Sequence, residues 1–183
     1  MNLKHLLKEK RSSIIKKWRD AVLATYPEQS QKFLRKHKDA IANPVGSTIF
    51  QGLESIYDQF IDNPDSDEIS LFLDNIVRVR AIQEFSSSQA VSFIFELKEV
   101  VREELKTEIG QEGLSEELVS FESEIDGLAM RCFDIYTGCR EKIFEIRVNE
   151  VRTQSARLLK MAGLVCEVSD KPGDLDNDQV NNG

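Results

Sequence analysis

From Ser115 to Ala162 the sequence runs for 48 residues without a proline. Apolar side chains recur through it at Leu118, Phe121, Ile125, Leu128, Cys132, Ile135, Cys139, Ile143 and Ile146. Steps of three and four residues hold side chains on one face of an α-helix. A single helix over about 115–162 would reach ~72 Å at ~1.5 Å per residue. A compact domain of 183 residues has a radius of gyration near ~16 Å and a diameter of only ~40 Å. The run must therefore break, or its end must project and lie against another polypeptide. Gly127 and Gly138 are the weak points, each costing about 1 kcal/mol relative to alanine inside a helix. Projection is the expectation. Past Ile146 the stripe thins to Val148, Val151, Leu158 and Leu159 amid Arg147, Arg152, Arg157 and Lys160, cations that the helix dipole favours near a C-terminus.

The rest of the chain has the same period. Four prolines and nine glycines are too few turn signals for an all-β fold. Leu3, Leu7, Ile14, Trp18 and Val22 form one stripe, closed at Tyr26-Pro27 because a residue before proline avoids helical angles. A shorter helix runs from Pro27 or Glu28 to about Ala42. Asn43-Pro44 reads as an N-cap followed by proline in the first turn. Ile49, Leu53, Ile56 and Phe60 mark a third helix. Ile69, Phe72, Leu73, Ile76 and Val79 mark a fourth, starting near Ser66. Ser86 and Gln89 have the spacing of a capping box, and the helix behind them buries Ala90 through Ile109 and ends at Gly110 and Gly113. The fold class is all-α, with six helices counted, the sixth long and projecting.

Charge narrows the partners. The 24 basic and 32 acidic residues leave a net charge of −8. Residues 1–20 carry seven Lys/Arg and two acids, while residues 163–183 carry one Lys and five acids. An acidic body suits nucleic acid poorly, since sequence-independent binding rests on cations at phosphates. No apolar run approaches the length of a membrane span or a signal-peptide core. Three cysteines, an odd number, fit reduced thiols better than a secreted disulfide framework. A cytoplasmic domain of residues 1–166 with a disordered acidic tail at 167–183 is the expectation.

Most catalytic chemistry lacks its residues. The two histidines, His5 and His37, lie in the first two helices, so the middle of the chain offers no axial haem ligand. Cys132 and Cys139 stand two turns apart on one face, about 10 Å along the axis, too far to share a disulfide or one zinc. Phosphate loops, nucleophile elbows and Glu-x-x-His pairs are absent from the sequence. The expectation is no enzyme, no cofactor and no metal.

One stretch carries a resemblance. Residues 75–105, opening Asn-Ile-Val-Arg-Val-Arg-Ala-Ile-Gln-Glu-Phe-Ser-Ser-Ser-Gln, resemble the N-terminal domain of the RsbRD-type RsbT co-antagonists, the stressosome sensor family. Asn-Pro-Val-Gly at 43–46 and Cys-Arg-Glu-Lys-Ile at 139–143 are similar to members of that family, and the likeness extends over about residues 3–160. The resemblance implies a haem-free, globin-like sensor domain of six helices that dimerises, with a final helix leading toward an output domain. Full-length relatives are implied to carry a C-terminal STAS domain whose phosphorylation controls release of the RsbT kinase. About twenty mostly polar residues follow the helix here, so a stand-alone module acting through surface contacts is expected.

Two residue sets follow as candidates. Arg78, Arg80, Gln83, Ser86, Ser88 and Gln89 gather at the junction of two strong helices as a recognition loop, against the plainer reading of a capped junction with an arginine paired to an acid. Ile135, Cys139, Ile143, Ile146, Val151 and Leu158 form the dimer and relay face. Any ligand pocket would lie among Phe50, Tyr57, Phe72, Phe93 and Phe95, against the plainer reading of those rings at helical spacing as simple core. The partners expected are a second copy and an unidentified regulatory protein, with neither nucleic acid nor membrane insertion. An accessory protein docking on a redox or membrane-associated complex is the alternative.

Overall fold

The computed structural model describes residues 2–36, 42–83 and 85–163. His37, Glu84, Cys166 and the acidic segment 167–183 lie outside the described residues. The chain divides into two units, Met1–Phe144 and Glu145–Gly183. Among the described residues there are eight helices: α1 Leu3–Glu9, α2 Arg11–Ala24, α3 Glu28–Lys36, α4 Pro44–Asp62, α5 Asp67–Ile82, α6 Ser87–Glu104, α7 Lys106–Glu112 and α8 Ser115–Met161. The architecture is the expected all-α, globin-like bundle closed by one long helix, with no strand among the described residues.

The count of six helices is corrected to eight, because two of the expected helices are each broken once. The first breaks at Lys10, whose backbone leaves helical geometry between α1 and α2. The fifth breaks at Leu105, between α6 and α7. One side chain joins the two breaks. Lys10 Nζ donates to the carbonyl of Glu104, 3.2 Å away, and pairs with the Glu108 carboxylate. Helix ends leave carbonyls without intrahelical partners, and a lysine from a second break supplies a donor to one of them. Apolar periodicity runs unbroken through both points, so neither kink is written in the pattern.

The remaining boundaries follow local chemistry. Asn43 caps α4 through Oδ1, which accepts from Gly46 N at 2.8 Å, and its Nδ2 donates to Leu34 O at 3.0 Å. Ser86 and Gln89 make the complete capping box of α6. Gly113 ends α7 with φ +68°, a left-handed backbone that glycine adopts without Cβ strain. The glycines Gly127 and Gly138 do not break α8, which is continuous from Ser115 to Met161.

The core of the first unit is built from the stripes the sequence displays. Trp18 is fully buried, its ring stacked near Phe93 and its indole N–H donating to Phe93 O at 2.6 Å. Tyr57 is buried with its hydroxyl on Leu7 O at 2.9 Å. From α8, Phe121, Ile125, Leu128, Ala129, Cys132 and Tyr136 enter the same core. Each fully buried Leu, Ile or Phe among them contributes about 1.5–3 kcal/mol by leaving water. In the second unit the described stretch of α8 has no buried residue; only Val148 is partly covered and the rest is exposed.

Candidate functional site

The two candidate residue sets, separate in the sequence, meet on one surface of the first unit. Arg78 from the loop set and Ile135, Cys139 and Ile143 from the helix set line a single groove of about 400 Å³ between α5 and α8. Asp74 and Ile82 complete its α5 side, and Gly138 and Lys142 its α8 side. Side chains of α8 fix its walls: Arg140 donates to Ala81 O at 3.2 Å, and the Tyr136 hydroxyl donates to Phe85 O at 2.5 Å. Both acceptors lie at or just past the end of α5.

The groove has an apolar floor and a charged rim. Arg78 Nε donates to Asp74 across one turn of α5 at 2.5 Å. Ile82 stands 71% exposed at one end of the groove. Lys142 is exposed and has no ion pair among the described residues. The Cys139 thiol is half-buried; burial pushes its pKa up, Asp74 adds to this, and Arg78 opposes it. Cys139 is therefore a neutral thiol at physiological pH.

Arg80 is corrected from a surface recognition residue to an interior one. Its guanidinium is fully buried and lies within 5.0–5.5 Å of the ring centres of Tyr26, Phe85 and Phe93. Nη1 donates to Gln89 O at 2.8 Å and Nη2 to Thr25 Oγ1 at 3.1 Å. The capped junction is present, and its arginine paired to an acid is Arg78, on Asp74; no carboxylate among the described residues pairs with Arg80. Three aromatic faces and two neutral oxygens hold it instead. Burial lowers its pKa, with Tyr26 opposing the change. The spacing could have found it, because Ile69, Leu73, Ile76 and Arg80 step by four, three and four along the inward face of α5.

The other loop residues stay outside. Gln83, Ser86, Ser88 and Gln89 are exposed, and Ser86 and Gln89 are engaged with each other in the cap. The aromatic set divides between core and surface. Tyr57 and Phe93 are closed into the core, Phe95 is 42% exposed, and Phe50 is half-buried under the Arg19 guanidinium. Tyr57 and Phe93 are core, as the plainer reading has it.

Burial sets the reactivity of the two described cysteines. Cys132 is fully enclosed and its pKa is pushed up to about 12, with Arg80 pulling the other way. Since the thiolate is the nucleophile, a disulfide reagent at pH 8 is expected to leave Cys132 untouched in the folded protein. Cys139 should react more slowly than free cysteine. Peptide mass mapping of a Cys166→Ser variant checks this, and rapid labelling of Cys132 without denaturant would contradict the burial described.

Among the described residues no group of histidine, cysteine and carboxylate side chains could hold a metal ion. No helix among them is long and apolar enough to cross a membrane. The family described as the RsbT co-antagonist protein rsbRD N-terminal domain matches residues 12–151, most of the chain. The chain belongs to this family. The match takes in α2 to α7, the α5–α8 groove and α8 as far as Val151, and it agrees with the resemblance read from residues 75–105. An uncharacterised protein of Archaeoglobus fulgidus is 24% identical over 143 residues, covering 76% of this chain and 83% of the relative. No solved structure matches the chain. The rsbRD N-terminal family is a family of regulatory domains, and this chain is a regulatory domain of that stressosome type.

Proposed function

We propose that this domain is a non-enzymatic, cytoplasmic sensor that works as a homodimer and passes its signal to a regulatory protein along α8. One observation carries the reading. In the second unit, Val148, Val151, Ser155, Leu158 and Ala162 follow one another at steps of three and four residues, the near-3.5 period of a two-helix seam. Val151 is 62% and Leu158 66% exposed. Apolar side chains in such a register, left in water, are matched by a second copy of the same stripe, which is self-complementary about a two-fold axis.

The reading revises the relay face. Ile135, Cys139 and Ile143 line the groove of the first unit, while Val151 and Leu158 belong to the seam. Ile146, five residues before Val151, points about 140° away from it around the helix and is left out of the seam. Sedimentation velocity on the full chain tests the proposal. A dimer at tens of micromolar is expected; a monomer at that concentration overturns it.

A further inference from the structure

Gly138 has no structural reason visible on its own helix. A glycine inside a helix costs about 1 kcal/mol relative to alanine. It is retained where another backbone or side chain comes too close for a Cβ, or where the backbone needs a positive φ. Neither holds here. A Cβ added at Gly138 would meet nothing within 4 Å, and its φ is not positive. What lies in front of it is the α5–α8 groove, which it helps to line. The missing side chain leaves that space open.

The open space has a definite chemistry. Its volume of about 400 Å³ lies within the range of small-molecule sites, ~300–1,000 Å³. Isoleucines 82, 135 and 143 supply the apolar surface, and the neutral Cys139 thiol lies among them. At the rim two cations, Arg78 and Lys142, face one carboxylate, Asp74, which is already engaged with Arg78. One positive charge is left over, on Lys142. We propose that this groove is a binding site for a small amphipathic monoanion, whose acidic head pairs with Lys142 while its apolar body covers the isoleucine floor and the gap at Gly138. An anion complements the rim. A neutral apolar molecule would leave Lys142 unpaired, and a cation would be repelled.

The site is independent of the dimer seam, which uses other residues, so failure of either proposal leaves the other standing. The test uses the full chain and two fluorescent probes that share an aromatic body. These are 1-anilinonaphthalene-8-sulfonate, which is anionic, and N-phenyl-1-naphthylamine, which is neutral. The anionic probe is expected to bind saturably at one site per chain. Lys142→Gln should weaken it about fivefold, the scale of one solvent-accessible ion pair, and leave the neutral probe unaffected. Gly138→Leu should abolish saturable binding of both, while its melting temperature stays at or above that of the parent, since leucine favours the helix. Gly138→Ala, which adds one methyl group, should stabilise the helix and weaken binding only partly. Unchanged binding in Gly138→Leu overturns the proposal. So does equal loss of both probes in Lys142→Gln, or an affinity that falls as protein concentration rises, which would mean that a second copy covers the groove.

Discussion

Replacing Arg80 with alanine is expected to destabilise the first unit by about 4 kcal/mol, more than any surface substitution in the chain. Two hydrogen bonds from a charged donor, to Gln89 O and Thr25 Oγ1, are worth roughly 1.5–3 kcal/mol each. Three aromatic faces add about 0.5–2 kcal/mol apiece, and the truncated side chain leaves a cavity. Opposing these is the cost of holding a cation out of water without a carboxylate, several kcal/mol per ion, which is why the net loss is well below the sum. At 2–4 °C per kcal/mol for a domain of roughly this size, the melting temperature should fall by about 12 °C.

Companion variants separate the contributions. Arg80→Met keeps most of the volume and abolishes the desolvated charge, so it should cost clearly less than alanine. Arg80→Lys should cost nearly as much as alanine despite keeping the charge. A lysine ammonium is compact and cannot reach both Gln89 and Thr25 while staying among the three rings. Differential scanning calorimetry of the three variants gives the order. An alanine variant melting within ~2 °C of the parent would mean that the guanidinium is not the fastener between α2, α5 and α6 described above.

Arg80 also shows how far residue patterns reach. Helix starts at Asn43, Ser66 and Ser86 and the stop at Gly113 depend on two or three neighbouring residues, and all were legible. The breaks at Lys10 and Leu105 were not, because the side chain that joins them reaches 94 and 98 residues along the chain. The groove was half legible. Its α8 wall was visible as an apolar stripe and Arg78 as a junction residue. Nothing local, though, places Arg78 opposite Cys139, whereas the inward turn of Arg80 two positions later follows the step of Ile69, Leu73 and Ile76. A helix with apolar residues on two faces presents the same ambiguity. Along α8 the buried residues Phe121, Ile125, Leu128 and Cys132 and the exposed Ile146, Val151 and Leu158 read as one thinning pattern until burial separates them.

In the second unit the same separation yields the other large effect. Val151→Glu combined with Leu158→Glu is expected to convert a dimer into a monomer. In a symmetric seam each substitution acts twice. Keeping an aliphatic side chain from burial forfeits about 1.5–3 kcal/mol, so four lost burials amount to at least ~6 kcal/mol, or roughly ten-thousand-fold in dissociation constant at ~1.4 kcal/mol per factor of ten. Like charges brought face to face add to the loss. Both positions are exposed within the chain, so the double variant should retain the far-ultraviolet circular dichroism of a helical protein. Ile146→Glu is the control. It introduces one glutamate on another exposed residue of α8, about 140° round the helix from Val151, and should leave the dimer intact. If Ile146→Glu dissociates the chain as completely as the double variant, the seam at Val151 and Leu158 is misplaced and general acidification of the helix is the cause. If the double variant sediments as the parent dimer, the two copies meet elsewhere.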